Sequence, residues 1–148
     1  MGNFICLHCR RQVPINNFMG TKHRNHCPYC LWSKHVDQKL PGDRKSPCQG
    51  GMEPLGLTFK QERLDKWGKP REGELMIVHR CVRCGKISIN RIAADDLPEI
   101  ILEVFKKSQN LEEDLKEQLI PENINLLGKD SEEKIKTQLF GYHNIDKQ

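Results

Sequence analysis

Aromatic residues are scarce in this chain: two Trp, two Tyr and five Phe among 148 residues. Hydrophobic residues of all kinds reach only 36%, while charged residues take 30%. Such a chain has little material for a large apolar core, so a second source of stability is expected. No apolar run is long enough to span a bilayer. The opening MGNFICLHCRRQV lacks a basic region followed by a long apolar stretch, which argues against a secretory signal. Met1-Gly2 suggests myristoylation, but Cys6 stands where that motif wants Ser or Thr. A cytoplasmic protein is therefore expected. Also missing is an even cysteine count. The seven cysteines do not close into disulfide pairs.

What is present is spacing. Six of the seven cysteines fall in C-x-x-C units: Cys6/Cys9, Cys27/Cys30 and Cys81/Cys84. In an intracellular chain that pattern points to metal or redox chemistry. A thioredoxin-like redox pair would open a helix in a βαβ unit, whereas these pairs lead into Arg-rich strand-like segments. The first four cysteines, with 17 residues between the two pairs, suit a tetrahedral Zn(II) shell built from two hairpin tips. Structural zinc contributes folding free energy on the order of 10–16 kcal/mol in small peptides, which would stand in for the missing core.

Cys48, Cys81 and Cys84 read as a second, incomplete copy, since Cys48-Gln49-Gly50-Gly51 carries Gly where a second cysteine would stand. Three thiolates need a fourth ligand, and histidine is the natural replacement. His35 and His79 are the candidates, with His23 and His26 behind them. His79 is on the strand that leads into Cys81 and sits about 7 Å along it. His35 comes from a different segment, as two-loop sites need, and is preferred. Two zinc ions per chain are expected.

Charge divides the chain. Residues 1–94 hold 17 Lys+Arg against 7 Asp+Glu, and residues 95–148 hold 7 against 13. A basic cysteine-bearing domain over 4–94 is thus followed by an acidic extension over 95–148. Within the first part, residues 75–80 and 86–91 alternate as strands around Cys81/Cys84, with Ile87 and Ile89 on one face. Residues 4–6 and 10–15 flank Cys6/Cys9 in the same way. The Gly/Pro-rich stretch 37–56 reads as loop, and 60–74 as a polar excursion bearing Trp67. In the extension, Leu97, Ile100, Ile101, Val104 and Phe105 repeat at helical spacing, with Asp95 and Asp96 as caps and Asp96/Glu99 as a capping box. Leu111, Leu115 and Leu119 continue the stripe until Pro121, giving a helical region over 96–120, and a last short helix is expected from about Ser131 to Gly141. The expected fold is a small, metal-stabilised α+β protein: a double zinc ribbon of short β-hairpins followed by a helical C-terminal extension.

The segments RNHCP (24–28), CLWSKHVD (30–37), PGDR (41–44), CQGGMEP (48–54) and HRCVRCGKISINRIAADD (79–96) together resemble the RNHCP domain family. These are small bacterial and archaeal zinc-ribbon-like proteins named for that pentapeptide. The resemblance spans about residues 4–96 and leaves the tail outside. It implies metal-binding ribbons, and the His35-Val36-Asp37 unit agrees with a ligand role for His35.

Basic and aromatic side chains crowd the ribbon tips: Arg10, Arg11, Lys22, His23, Arg24, Tyr29, Trp32, Lys34, Arg80, Arg83, Lys86 and Arg91. Guanidinium groups grip phosphate and flat rings accept stacked bases. With no recognition helix in the basic part, RNA is favoured over DNA, and ribosomal RNA is the specific expectation. His26 reads as a hydrogen-bonding neighbour of the thiolates and Asn25 as a turn-former. The function expected is a non-catalytic zinc-binding, RNA-associated protein acting at the ribosome or in translation. The alternatives are a zinc-dependent hydrolase or nuclease using the His35/Asp37 region, and a protein-interaction adaptor working through the 96–120 helix.

Overall fold

The computed structural model describes residues 4–6, 8–13, 26–35, 45–60, 66–69, 73–93 and 96–140. Lys22, His23, Arg24, Asn25, Asp37 and Asp95, together with PGDR at 41–44, lie outside the described residues.

Among the described residues, six strands come first and three α-helices follow. They are β1 (Phe4–Ile5), β2 (Gln12–Val13), β3 (Ser33–Lys34), β4 (Gly51–Phe59), β5 (Leu75–Cys81), β6 (Ile87–Arg91), α1 (Pro98–Ser108), α2 (Glu113–Leu119) and α3 (Glu132–Phe140). β1 and β2 form a small antiparallel hairpin, and the rest form a four-stranded antiparallel sheet in the order β3-β4-β5-β6. This is the small α+β protein expected.

The Gly/Pro-rich stretch over 37–56 is not all loop. Its end, Gly51–Gly56, is the first half of β4, the longest strand. Gly and Pro weaken strands by local propensity, but here pairing with the buried run of β5 overrides it. The pairing shifts register between Pro54 and Gly56, so the irregular residues sit at a bulge. Gly56 is required by packing: a Cβ there would lie 2.9 Å from both the Leu126 and Ser108 side chains.

Among the described residues, β3 pairs with Gly51 and Met52 and no strand pairs with the rest of that β4 edge. The chain after α2 covers it. The Leu127 amide donates to the Leu57 carbonyl (2.9 Å), and the Thr58 hydroxyl donates to the Asn125 carbonyl (2.8 Å). A strand edge closed in this way cannot template another chain. α3 anchors the start of β5, where Gln138 accepts from the Leu75 amide and donates to the Gly73 carbonyl, both at 2.9 Å.

The main core joins sheet and helices: Leu31, Leu57, Leu75 and Ile77 meet Ile101, Val104 and Phe105 of α1 and Ile135 of α3. On a second cluster, Leu119 is buried against Leu55 and Val78, with Leu111 and Leu115 alongside. The helical stripe therefore packs on the sheet. The 96–120 region is two helices, broken at 109–112, rather than one. Nor does Asp96 cap α1, whose N-cap is Leu97 without a side-chain bond. Its carboxylate instead accepts from the Ala93 amide (2.7 Å) and pairs with His26. Among the described residues, no helix is long and apolar enough to cross a membrane.

Candidate metal centres

Each C-x-x-C unit folds into the same knuckle. The amide of the first cysteine donates to the carbonyl five residues on: Cys6 to Arg11 (2.9 Å), Cys27 to Trp32 (2.9 Å), Cys81 to Lys86 (2.8 Å). The carbonyl of that cysteine accepts from the residue four on: Arg10 (2.9 Å), Leu31 (2.8 Å) and Gly85 (2.9 Å). That fourth residue is left-handed every time, with φ of 68°, 66° and 84°. Glycine meets the requirement freely, whereas Arg10 and Leu31 carry conformational strain that the knuckle must overcome.

The knuckles bring donors together in two sets. Cys6, Cys9, Cys27 and Cys30 form the first, and His35, Cys48, Cys81 and Cys84 the second; in each the donor atoms lie within 4.8 Å of one another. Sulfur–sulfur separations are 3.6 Å for Cys6–Cys30, Cys9–Cys27 and Cys48–Cys81, and Cys84 Sγ lies 3.4 Å from His35 Nδ1. A disulfide would need about 2.05 Å. A tetrahedral ion with metal–sulfur bonds of about 2.3 Å has edges of about 3.8 Å, and about 3.5 Å where one donor is nitrogen. The donor sets fit that ion.

Their electrostatics agree. Burial pushes the Cys27 thiol up to about 11 and Cys30 higher still, the neighbouring cysteine sulfurs adding to the effect. Cys6 is also penalised by burial, but amide bonds from Cys9 and His8 together with the sulfurs of Cys30 and Cys9 outweigh this and lower it. At Cys81 burial opposes ionisation, yet the Cys84 and Arg83 amides, with the Cys48 and His35 side chains, bring the thiol down to about 6. Four crowded thiols cannot all ionise unaided. A central cation makes the thiolates mutually compatible.

His35 reaches the second set because its backbone extends the β3–β4 pairing: its amide donates to Gly50 (2.8 Å), and its carbonyl accepts from Gln49 (3.1 Å). Gly50 leaves no room for a side chain, since a Cβ would lie 2.9 Å from Cys81 Sγ and 2.6 Å from Arg83 Cβ. His79, the competing candidate, is elsewhere. It is fully buried, its Nε2–H donates to the Leu31 carbonyl (2.6 Å), and its Nδ1 accepts from the Asn90 amide (2.7 Å). Burial, with His26 nearby, lowers its pKa to about 3, so it is neutral in the fold. It ties the left-handed Leu31 of the second knuckle to the sheet. His79→Leu is expected to destabilise the protein by about 2–3 kcal/mol, because the Leu31 carbonyl and Asn90 amide lose their partner. Urea unfolding of the metal-loaded protein checks this, with metal content unchanged.

Three contacts were hidden from sequence reasoning. The His26 and Asp96 side chains, 70 residues apart, meet at 2.6 Å in the interior. His79 holds Leu31, as described. Exposed His8, inside the first knuckle, stacks on Trp32 with centroids 4.2 Å apart and planes 6° apart. Only the position of His8 between two ligands hinted at a role.

Of the basic residues, Arg10 and Arg11 are exposed, with Arg11 lying over the Tyr29 ring at 5.1 Å. Exposed Arg83 donates to the Cys48 carbonyl (3.0 Å). Arg80 donates to Gln118 (2.8 Å) and Arg91 to Glu74 (3.1 Å), while Lys34 is half-buried and Lys86 exposed. The two centres are neighbours: Trp32, under His8, lies against Gly51, where a Cβ would be 3.3 Å from the ring. The Gly51 carbonyl accepts from the Val82 amide of the third knuckle (2.9 Å).

Two Cys/His clusters on a small α+β scaffold define a metal-binding protein, with donor spacing consistent with zinc. More narrowly, the chain belongs to the RNHCP domain family, whose model matches residues 1–102, and the match therefore runs into α1. No curated protein and no solved structure matches the chain.

Proposed function

We propose that the protein is a non-catalytic double zinc-ribbon protein that binds RNA through the basic residues of its knuckles. Its basic domain spans 4–94, and the acidic helices of 95–148 brace it. The observation that carries the reading is the closure of both donor sets at four, with exposed arginines on the same loops. A complete Cys/His shell leaves no open position for an activated water, which favours a structural ion over a hydrolytic one. When bound, zinc supplies a fixed charge that locks each knuckle. The chain's own residues then do the binding, with Arg10, Arg11, Arg83 and Lys86 presented to solvent. The His8–Trp32–Gly51–Val82 contacts link the first and third knuckles, the loops that carry these cations. One face of Trp32 is already covered by His8, so phosphate contact rather than base stacking on Trp32 carries the affinity. Packing of Leu111, Leu115 and Leu119 against the sheet leaves that stripe unsuited to an adaptor.

The test is gradient sedimentation of a native lysate at two salt concentrations, with and without ribonuclease. The reading expects the protein to run with ribosomes or other RNA complexes and to return to the top after ribonuclease. Sedimentation at the top throughout refutes it. Arg10→Gly sharpens the test. Arg10 has a φ that glycine tolerates freely, so relief of about 1–2 kcal/mol of left-handed backbone cost offsets the roughly 0.5–1 kcal/mol entropic cost of glycine, and the substitution is expected to leave the fold intact. It is also expected to weaken RNA binding and reduce the salt slope by about one.

A further inference from the structure

We infer that Cys84 is a modification site: a zinc thiolate that takes a two-electron oxidant of the peroxide class and opens the second centre while the first stays closed. The inference rests on the zinc reading above and goes beyond it, since a structural ion need not be reactive.

The two centres differ in access. In the first, Cys6 and Cys27 are buried and Cys9 and Cys30 half-buried. In the second, Cys84 is exposed, at the tip of the β5–β6 hairpin where Val82 and Arg83 are exposed as well. A zinc-bound thiolate remains a nucleophile, and its reactivity follows exposure. Exposure alone would make Cys84 only a surface thiol. The second, independent feature is a resolving partner: Cys48 Sγ and Cys81 Sγ lie within 4.8 Å of it.

The chemistry balances with hydrogen peroxide as the oxidant. Cys84 Sγ, as thiolate, attacks one peroxide oxygen. The O–O bond breaks, an S–O bond forms, and hydroxide leaves, so that sulfur loses two electrons and peroxide gains them. The thiolate of Cys48 or Cys81 then attacks the resulting sulfenic sulfur. A disulfide forms and a second hydroxide leaves. Two thiolates and one peroxide have become one disulfide and two hydroxides. The chain then offers His35 and a single thiolate at this centre, too few donors to retain the ion. Reduction restores the set.

The test uses the full chain loaded with zinc. Zinc per chain is counted first. Hydrogen peroxide is then added in step with a zinc indicator, and the cysteines are mapped by mass spectrometry. The expected result is release of one zinc per chain, with Cys84 oxidised first and linked to Cys48 or Cys81. The remaining zinc leaves roughly ten-fold or more slowly, and dithiothreitol with added zinc reverses the loss. Release of both ions at one rate, first oxidation among Cys6, Cys9, Cys27 and Cys30, or no release overturns the inference. A chain holding fewer than two zincs before peroxide is added overturns the zinc reading itself, and the inference with it. Iodoacetamide gives a measurement free of any variant: Cys84 is expected to be alkylated first in the unaltered protein, and alkylation starting at another cysteine contradicts the assignment.

Discussion

Removal of the metal by a strong chelator is expected to unfold the β1–β2 hairpin and the Cys27–Cys30 knuckle while the sheet and helices hold. The reason is the composition of the local core. Around the first centre the buried cluster consists of Cys6, Val13 and Cys27, with Cys9, Tyr29 and Cys30 packed against it. Among the described residues, Val13 is its only aliphatic side chain. Two-residue strands joined by one short ladder cannot persist alone. Metal binding at such a site contributes on the order of 10 kcal/mol or more, so its loss exceeds any stability this region has of its own. The main core is different, because eight buried side chains from β4, β5, α1, α3 and Leu31 remain apolar and packed without any ion. Amide hydrogen exchange checks the division. After chelation the Cys6 and Cys27 amides, which donate to Arg11 and Trp32, should exchange freely, while those of β5 and α1 stay protected. Uniform loss of protection, or none, would contradict this account.

The second large effect is expected from Asp96→Ala. Asp96 and His26 are almost wholly removed from water, and their side chains meet at 2.6 Å. The carboxylate also holds the Ala93 amide. The substitution takes away the carboxylate that the buried imidazole and the Ala93 amide share, and breaking a buried pair from one side typically costs about 3–5 kcal/mol. The position magnifies the consequence. His26 precedes the ligand Cys27, and Asp96 precedes α1, whose Leu97 amide donates to the Pro28 carbonyl (3.3 Å). The pair thus fastens the second knuckle to the start of the helical region. Asp96→Ala should lower the urea midpoint strongly and weaken retention of the first metal, whereas a matched surface change such as Glu112→Ala should leave both alone. Equal behaviour of the two variants would show that the pair does not brace the knuckle.

These two cases also mark what the sequence could reveal. The knuckles were legible because thiolate ligation demands short, fixed spacing. β5, β6 and the helices were legible because their apolar residues repeat at periods of two and 3.6. His35 was preferred to His79 on the physical ground that a ligand from another segment closes a shell more easily, and it is His35 Nδ1 that stands with the three sulfurs. The first half of β4 was not legible. Gly51, Pro54 and Gly56 read locally as turn residues, and it is pairing with β3 at Gly51, pairing with β5 from Met52 onward and α1 against Gly56 that make them a strand. The Asp96 error has the same origin. An acid before a helix looks like a cap, and nothing in the local pattern reveals a buried histidine 70 residues earlier.

The central claim is that the chain builds two separate metal centres, the second completed by His35. Counting zinc per chain after full loading under reducing conditions, in the unaltered protein and in His35→Ala, tests it most directly. The account predicts two in the first and one in the second. Fewer than two in the unaltered protein, or two retained in His35→Ala, would contradict it.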